Sequence, residues 1–362
     1  MKHIVFTVTN DLTHDQRMHR ICSSLHSAGY SVTLVGRTRK YSDELIGKPY
    51  NQIRLTCTFD KGILFYIEFQ LRLFFWLYSQ RVQIISAVDA DTLLPCTLIS
   101  IIRQIPLVFD AHEYYTEVPE VHDRYAVKRV WQHLEKSCVP HATLCYTVSH
   151  SLAHVFSATH NKPYQVLYNV PVSISVQSIE KQPQPFKLVY QGDLNPGRGI
   201  DTAIHAVAQL DAELIIIGDG PLRSQLEQLA RLKLVQHKVT FAGYLPYEEM
   251  QHVTASCHLG LNLLSATGLS YYYSLSNKFF NYIHAGIPQV CADFPEYRKI
   301  VKQYEVGVLI QNEEELLVRA VERIRTNPVF YRHLHEQCIA AKMEFNWDNC
   351  SKQLLEWYKH VY

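Results

Sequence analysis

The sequence feature that most constrains the fold is a regular alternation of short apolar runs with amphipathic helical patterns. In the first half, HIVFTV, SVTLVG, VQIISAV, PLVFD and TLCYTV occupy residues 3–8, 31–36, 82–88, 106–110 and 143–148. Each run is typical of a buried strand, and helical periodicity separates successive runs. Strands that alternate with helices build parallel sheets, because the connection between parallel neighbours must cross a face of the sheet. We therefore predict an α/β fold with doubly wound parallel sheets.

A stretch without helical periodicity divides this alternation into two series. Residues 169–186 have the sequence NVPVSISVQSIEKQPQPF, whose prolines favour a linker. Beyond it the apolar runs resume at 187–192, 213–220, 238–243, 258–264, 288–293 and 306–310. A length of 362 residues suits two domains of ordinary size. We assign residues 1–168 to an N-terminal domain, 187–345 to a C-terminal domain and 346–362 to a terminal helix.

Composition argues against several classes of protein. Lysine and arginine number 35 against 34 aspartates and glutamates, so a nucleic-acid-binding protein is not expected. The nine cysteines form no C-x-x-C pair, which argues against a zinc site or a disulfide scaffold. The start, MKHIVFTVTN, lacks the apolar run of a signal peptide, and no run of 18 uncharged apolar residues follows. We expect a cytoplasmic protein without a spanning helix.

Polar residues follow the first predicted strand, which is where ligands bind in open α/β sheets. The segment NDLTHDQR at 10–17 has none of the glycines of a dinucleotide fingerprint, so a dehydrogenase is not expected. One interpretation places Asn10, Asp11 and Arg17 at a binding cleft. The other treats the segment as a helix start with a T-x-x-Q capping box at 13–16. The residues alone favour neither interpretation.

Two further polar motifs follow strands of the first half. The D-A-D motif offers Asp89 and Asp91 as ligands for a hard metal cation or as acceptor contacts, while Asp91 also suits the N-cap of the next helix. In VFDAHEYYTEVPE, His112 is placed to donate to a sugar hydroxyl or to accept a proton, with Glu113 beside it. Thr116 replaces the second histidine of H-E-x-x-H, which excludes a zincin.

A glycine-containing turn in the second half favours phosphate binding. The segment YQGDLNPGRGID spans 190–201, and Arg198 lies between two of its glycines. Backbone N–H groups at such a strand-to-helix turn attract an anion, and the guanidinium adds a fixed charge. A second turn, IGDGP at 217–221, is less specific. The residues of the two turns that we expect at the site are Gly192, Asp193, Asn195, Gly197, Gly199, Gly218, Asp219 and Gly220.

The densest motif, GLSYYYSLSNKFFNYIHAGIPQV at 268–290, leads from a polar, aromatic loop into a helix. Ser276 is predicted to be the N-cap, and Gly286 is predicted to end the helix. The helix start and Lys278 suit a phosphate, and Asn281 lies one turn further, within reach of a ribose hydroxyl. The backbone N–H groups predicted to face the phosphate are those of Ser274, Leu275, Ser276 and Asn277.

A helix predicted at 61–80, KGILFYIEFQLRLFFWLYSQ, is apolar almost all round. One interpretation makes it an internal helix of the N-terminal domain. The alternative is peripheral contact with a bilayer surface, at the inner face of the cell membrane, where a lipid-linked acceptor would lie.

The motifs at 190–201 and 268–290, in this order after a linker, resemble the GT-B glycosyltransferases of retaining family four, the bacterial glycosyl transferases group 1. The resemblance extends over nearly the whole chain, including WDNCSKQLLEWY at 347–358. It implies two Rossmann-like domains facing a cleft, with the terminal helix crossing back to the N-terminal domain. It also implies retaining transfer of a sugar from a nucleotide-diphosphate donor to a glycan or lipid-linked acceptor, as in the synthesis of surface polysaccharides or glycoconjugates.

The resemblance also implies roles for single residues. His112 matches the family's active-site histidine, Arg198 matches a basic position, and Arg198 and Lys278 would stabilise the leaving diphosphate. No metal and no other cofactor is implied. The nucleotide sugar would bind the C-terminal domain, and the acceptor would meet N-terminal residues, namely Asn10, Asp11, Arg17, Asp89, Asp91 and Glu113.

Three positions depart from the family pattern and keep other functions open. Asn281 and Tyr273 stand where the family has glutamates, and Asp193 stands where it has arginine. A non-catalytic relative that binds a nucleotide sugar is one alternative, and a sugar-nucleotide epimerase of the same fold is another. A metal-dependent GT-A enzyme that uses Asp89 and Asp91 is the least favoured, because that fold has one nucleotide-binding domain.

Overall fold

The computed structural model describes residues 2–117, 124–172, 185–266 and 268–361. The chain divides into two compact units, which are unit 1, Met1–Asn169 with Asn349–Tyr362, and unit 2, Val170–Asp348. Most of the predicted linker at 169–186 lies outside the described residues.

Unit 1 contains a seven-stranded sheet in which every pair of neighbours is parallel, in the order β3-β2-β1-β4-β5-β6-β7. Strands β4 and β5 are buried along their whole length, as expected of central strands covered on both faces. The strand order reverses between β1 and β4, which opens a crevice at their carboxyl ends. The strands are β1 (His3–Thr7), β2 (Ser31–Arg37), β3 (Asn51–Leu55), β4 (Ile84–Val88), β5 (Leu107–Ala111), β6 (Leu144–Thr147) and β7 (Gln165–Val166).

The helices of unit 1 include the end of the chain. The ring of Tyr358 packs against Phe6 at a centroid distance of 6.1 Å, and its hydroxyl donates to Ser86 Oγ at 3.3 Å. These contacts join the last helix to the sheet. The helices are α1 (Gln16–Ser27), α2 (Gly62–Ser79), α3 (Ala90–Arg103), α4 (Tyr125–Cys138), α5 (His150–His160) and, mostly within unit 1, α14 (Trp347–His360).

Unit 2 contains a six-stranded parallel sheet in the order β10-β9-β8-β11-β12-β13, and its reversal lies between β8 and β11. The strands are β8 (Phe186–Gln191), β9 (Ala212–Ile217), β10 (Val239–Gly243), β11 (Leu259–Asn262), β12 (Gln289–Ala292) and β13 (Gly307–Ile310). The helices are α6 (Ile200–Val207), α7 (Arg223–Leu232), α8 (Tyr247–Ser256), α9 (Leu269–Tyr272), α10 (Asn277–His284), α11 (Pro295–Tyr304), α12 (Glu314–Arg325) and α13 (Pro328–Glu344).

The predicted α/β class and the two doubly wound parallel sheets are confirmed. Sequence patterns missed β3 and β7, since NQIRL and QV carry few apolar residues to mark a strand. In the described part of the chain, no helix is both long and apolar enough to cross a bilayer.

Two predicted helix caps are wrong. Helix α1 begins at Gln16 because Asp15 caps it, with its carboxylate accepting from the backbone N–H of Met18 at 2.9 Å, so the predicted capping box does not form. Asp91 lies in the first turn of α3 rather than at its N-cap, which is Asp89 with a positive φ of 56°. Asp89 thus holds a strained backbone conformation directly after β4.

Candidate active site

In unit 2, the turn after β8 packs closely against the end of β11, and glycines make this close packing possible. Gly199 has φ +68° and stands at the N-cap of α6, where a Cβ atom would collide with the carbonyl oxygen of Leu263 just after β11. Gly192 has φ +127°, and a Cβ atom there would lie 3.6 Å from Lys278 Nζ. The turn after β8 is therefore held against the exit of β11 and against the first turn of α10.

Lys278 has a buried amino group without a hydrogen-bonded counter-ion among the described residues. Only 6% of the residue is exposed, and Nζ has no hydrogen-bond partner among the described residues. Nζ lies 3.8 Å above the centroid of the Tyr190 ring, which stabilises a cation modestly. Burial, and then repulsion from Arg198, hold the pKa of Lys278 well below its usual value, although Asp193 opposes this.

Arg198 provides a second cation at the same place. Its Nε is buried and has no hydrogen-bond partner among the described residues, and its guanidinium lies 4.9 Å from the centroid of the Tyr271 ring. Positive charge on a buried Lys278 beside a partly buried Arg198, with no hydrogen-bonded counter-ion for Nζ or Nε among the described residues, is unfavourable in an apolar surrounding. Asp193 is exposed, so its carboxylate compensates them only in part. The arrangement suits an anion with several oxygen atoms.

Amide side chains complete this site. The Asn281 amide donates from Nδ2 to Gln191 Oε1 at 3.2 Å, and Gln191 Nε2 keeps a donor with no described partner. Asn262 Oδ1 accepts from the Ser276 hydroxyl at 3.1 Å, and Asn262 Nδ2 likewise lacks a described partner. We did not predict Gln191 or Asn262 from the sequence. Their position as the last residues of β8 and β11, the two strands at the reversal, was the available signal.

The start of α10 differs from the prediction in its hydrogen bonds. Ser276 is the N-cap as predicted, but its hydroxyl bonds Asn262 instead of capping the helix. The Ser276 N–H donates to the hydroxyl of Tyr297 at 3.2 Å, and the Ser274 N–H donates to the Tyr271 carbonyl at 3.2 Å. Two of the four N–H groups predicted to face a phosphate are therefore used within the protein. Of the other two residues, Leu275 is buried and Asn277 is exposed.

The remaining predicted donor residues lie around this centre. Gly218 and Gly220 are required for packing, because a Cβ atom on Gly218 would collide with the Gly192 carbonyl and one on Gly220 would lie 2.7 Å from the Leu194 nitrogen. The Asp219 carboxylate accepts from the Gly220 N–H at 2.8 Å.

Two residues of the turn after β8 and Tyr273 complete the predicted set. The Gly197 carbonyl accepts from the Ser265 N–H at 2.9 Å, and Asn195 is partly buried in the same turn. The ring of Tyr273, just after α9, packs edge-on against Tyr272.

In unit 1, His112 follows β5 and is anchored on three sides. Its backbone N–H donates to Asp89 Oδ1 at 2.8 Å, which ties the end of β5 to the end of β4. Its Nε2 lies 2.7 Å from Arg17 Nε and 2.8 Å from Asp110 Oδ2. The side chain is 19% exposed, so an edge of the ring reaches the surface. Burial lowers the pKa of His112, but attraction to Asp110 outweighs it and the net shift is upward.

Arg17 is buried and forms its hydrogen bonds within unit 1. It is 4% exposed, and its guanidinium donates to Asp110 at 3.0 Å and to the Leu167 carbonyl at 3.0 Å. Its guanidinium is thus paired within unit 1, and its predicted contact with an acceptor stays a prediction. Arg17 joins helix α1 to the end of β5 and holds His112 from behind.

Asn10 and Asp11 shape the loop after β1. The Asn10 amide donates to Asp15 Oδ2 at 2.6 Å and its Oδ1 accepts from the Leu12 N–H at 2.9 Å. The Asp11 carboxylate accepts from the Ser42 hydroxyl at 3.0 Å. These bonds account for both residues without a ligand, so their predicted contact with an acceptor stays a prediction.

Asp89 and Asp91 face the crevice between β1 and β4 with unusual acidities. Burial raises the pKa of each carboxyl to about 6. Asp91 accepts a hydrogen bond from the Thr9 hydroxyl, which links the two strand ends. Glu113 is exposed beside His112. In the described ranges, no cluster of three histidine, cysteine or acidic residues is arranged to hold a metal ion.

Two family models match the chain on either side of the unit boundary. The model described as Glycosyltransferase Family 4 matches residues 15–170, and the model described as Glycosyl transferases group 1 matches residues 173–343. The fold is similar to that of Anabaena HepE in complex with UDP-glucose, with a TM-score of 0.81 and 17% identity over 99% of this chain and 100% of that chain.

Curated relatives are similar over shorter stretches. An uncharacterised glycosyltransferase of Methanocaldococcus jannaschii is 24% identical over 205 residues, 55% of this chain and 50% of that protein. A GDP-mannose-dependent alpha-(1-6)-phosphatidylinositol dimannoside mannosyltransferase of Mycobacterium tuberculosis is 26% identical over 179 residues, 48% of this chain and 44% of that protein. The chain thus spans half the length or less of these relatives. The two family matches together cover both units, and with the two doubly wound sheets they show that the chain belongs to the glycosyltransferases of group 1, with a family-four N-terminal part.

Proposed function

We propose that this protein transfers a sugar, with retention of anomeric configuration, from a nucleoside diphosphate donor to a glycan or lipid-linked acceptor. The observation that carries the proposal is a pair of basic side chains in unit 2, the buried Lys278 and the partly buried Arg198. Their Nζ and Nε atoms are buried and lack hydrogen-bond partners in the described part of the chain. A diphosphate supplies the charge and the oxygen acceptors that these groups lack. Family membership and the UDP-glucose complex of the similar Anabaena protein support a nucleotide sugar as the donor.

The chemistry follows from where charge develops. Cleavage of the anomeric bond builds negative charge on the leaving diphosphate, and Lys278 and Arg198 would stabilise it. Removal of one such group typically raises the barrier by about 3 kcal/mol, which slows the reaction about a hundredfold. The amides of Gln191, Asn262 and Asn281 would bind the oxygen atoms of the donor, and their neutral character makes these bonds weaker than those of the family's glutamate.

The proton of the acceptor needs no separate carboxylate base in this scheme. The leaving phosphate would take it, and His112 would donate a hydrogen bond to the transferred sugar. The acceptor would meet unit 1 near Asp89, Asp91 and Glu113. We propose that the reaction needs no metal, and unchanged rates in the presence of EDTA would test this.

We propose a lipid-linked molecule as the acceptor. A lipid-linked acceptor is supported by the similar Mycobacterium protein, a phosphatidylinositol dimannoside mannosyltransferase by name. We accordingly propose that the protein works in the cytoplasm, at the inner face of the cell membrane, in the synthesis of surface polysaccharides or glycoconjugates.

Binding of the donor is tested by thermal unfolding with a panel of UDP-, GDP- and ADP-sugars. A ligand at a hundred times its dissociation constant adds about 2.7 kcal/mol of stability, which shifts the midpoint measurably. The K278M variant should lose this shift for the matching donor while it keeps the unfolding midpoint of the free protein. A panel that produces no shift for any nucleotide sugar would contradict the proposal.

Product analysis then separates transfer from the two alternatives. Sugar transfer requires an acceptor, whereas a sugar-nucleotide epimerase converts the donor alone. Binding without turnover across a broad acceptor panel would identify a non-catalytic relative, the outcome that Asp193, Tyr273 and Asn281 leave open.

A further inference from the structure

Three helices of unit 1 form one layer on the sheet. Helices α2, α3 and α4 belong to successive connections that run in the same direction along the strand order, and right-handed crossovers place such connections on the same face. Helix α2 is joined to α4 by Tyr66, whose ring meets the ring of Trp131 edge-on at 5.4 Å. We name the outer side of this layer the three-helix surface.

The three-helix surface is apolar although it faces solvent. Helix α2 buries one stripe, Phe65, Phe69, Leu73 and Leu77, against the unit and therefore is not an internal helix. Its opposite stripe is exposed, with 54% of Leu71 and 65% of Phe75 accessible. Of the 24 exposed large apolar side chains in the described part of the chain, thirteen lie on these helices of 18, 14 and 14 residues. They are Ile63, Leu64, Ile67, Leu71, Phe75, Tyr78, Leu94, Leu98, Ile101, Ile102, Tyr125, Val127 and Val130.

These side chains repeat at helical spacing, which makes them continuous stripes. On α2 they recur every three or four residues from Ile63 to Tyr78, and on α3 from Leu94 to Ile102. Large exposed apolar areas on a folded protein mark a surface that another phase or molecule covers. Scattered exposed side chains would need no such explanation.

Positive charge is concentrated on these helices and in the residues at their ends. The segments 61–81, 90–104 and 124–138 contain eight lysines and arginines and three acidic residues, whereas the whole chain has a net charge of +1. Two of the three acids, Asp91 and Glu135, are buried. The third, Glu68, accepts hydrogen bonds from the Thr58 N–H and from Arg72. Two of the cations are paired, Arg72 with Glu68 and Lys128 with Glu117. None of the three acids is itself exposed, whereas Lys61, Arg81, Arg124, Arg129 and Lys136 are exposed, so the surface presents apolar stripes bordered by positive charge.

We propose that the three-helix surface docks in the plane of an anionic lipid bilayer. Apolar side chains enter the boundary between headgroups and acyl chains, and lysines and arginines bind lipid phosphates, as in interfacial helices that combine both features. A protein partner would be expected to place acidic groups opposite the cations at a defined site, whereas a bilayer needs only a broad surface of this composition. The proposal extends beyond residues 61–80 to two further helices. Membrane docking does not depend on transferase activity, so either proposal can be refuted while the other stands.

The test is flotation of the full chain with lipid vesicles. We expect binding to phosphatidylcholine vesicles that contain phosphatidylglycerol, and much weaker binding to phosphatidylcholine alone. Binding should weaken as salt rises, because the screening length falls from about 10 Å at 0.1 M to about 3 Å at 1 M. Absence of binding to anionic vesicles at low salt would overturn the proposal.

Two pairs of substitutions separate the apolar and the charged contribution. L71Q with F75Q should reduce the vesicle partition coefficient more than tenfold, since two large side chains no longer enter the lipid. R129Q with K136Q should reduce it about 25-fold, at about fivefold for each charge. The matched control, V329Q with M343Q, replaces side chains that are 77% and 73% exposed on unit 2 and should leave binding unchanged.

Circular dichroism, unfolding midpoints and light scattering show whether a change in vesicle binding comes from unfolding or from dimer formation. All variants change exposed positions, so their circular dichroism and unfolding midpoints should match those of the parent protein. Equal binding by the parent and both substituted pairs would overturn the proposal. So would a dimer in light scattering that L71Q with F75Q dissociates, because the surface would then be covered by a second copy.

Discussion

Replacement of Arg17 by methionine tests whether a buried ion pair holds the histidine of unit 1 in place. Arg17 is 4% exposed and Asp110 is fully buried, and their charged groups meet at 3.0 Å. Methionine fills similar space but leaves the Asp110 carboxylate without its strongest partner. Breaking a buried pair in this way costs about 3–5 kcal/mol. For a unit of this size that corresponds to a fall in the unfolding midpoint of roughly 6–20 °C.

The assay is urea unfolding followed by tryptophan fluorescence. Three of the four tryptophans, at 76, 131 and 357, belong to unit 1, so the signal reports mainly on the unit that carries the substitution. The matched control is K359M, which removes a cation that is 65% exposed and pairs with Glu356 in α14. Its midpoint should equal that of the parent protein, since exposed pairs contribute little.

The stability loss of R17M should depend on pH through the Asp110 carboxyl. Burial raises the pKa of Asp110, but Arg17 and His112 outweigh it and the net shift is downward. A carboxyl with a lowered pKa in the folded state adds stability above its unfolded pKa, and this stability disappears as the pH falls through the folded pKa. In R17M the pKa of Asp110 should rise, so the deficit of the variant should shrink between pH 7 and pH 5. A loss below 1 kcal/mol, or a deficit that is constant with pH, would refute the role assigned to Arg17.

Four further predictions concern the two sites. Because burial lowers the pKa of Lys278, binding of a nucleoside diphosphate should be accompanied by uptake of a proton and should weaken as the pH rises. Calorimetry in buffers of different ionisation enthalpy measures the proton uptake, and equal heats in all buffers would contradict it. H112A should abolish sugar transfer while its circular dichroism stays that of the parent, and turnover at the parent rate would refute the assignment. N281E should tighten nucleotide binding about fivefold, because a hydrogen bond to a charged group is stronger by about 1 kcal/mol, and an unchanged dissociation constant would count against a donor contact there. G218A should lower the free energy of unfolding by about 1–3 kcal/mol, because the φ of +132° at Gly218 and the nearby Gly192 carbonyl leave no room for a Cβ atom. An unchanged urea midpoint would contradict this and show that the turn relaxes.

Local patterns were sufficient to predict most elements and several site residues. Apolar runs marked eleven of the thirteen strands, and the missed strands, β3 and β7, are the two edges of the unit 1 sheet. An edge strand contacts the core less, so its composition carries a weaker signal. The cap of α1 was misassigned for a related reason: Thr13 and Asp15 are both good capping residues, and the path of the preceding loop decides which of them reaches the helix.

The sequence by itself determined the α/β class, the parallel order of the sheets and the position of polar residues after strands, because side-chain periodicity and turn chemistry are local properties. Only the tertiary structure decided which polar groups lack a partner. It buries Lys278 and Arg198 Nε beside one another, turns Arg17 inward toward Asp110 and adds Gln191 to the donor site. Burial and pairing depend on residues far apart in the chain that meet only when the strands assemble, so periodicity along the sequence carries no record of them.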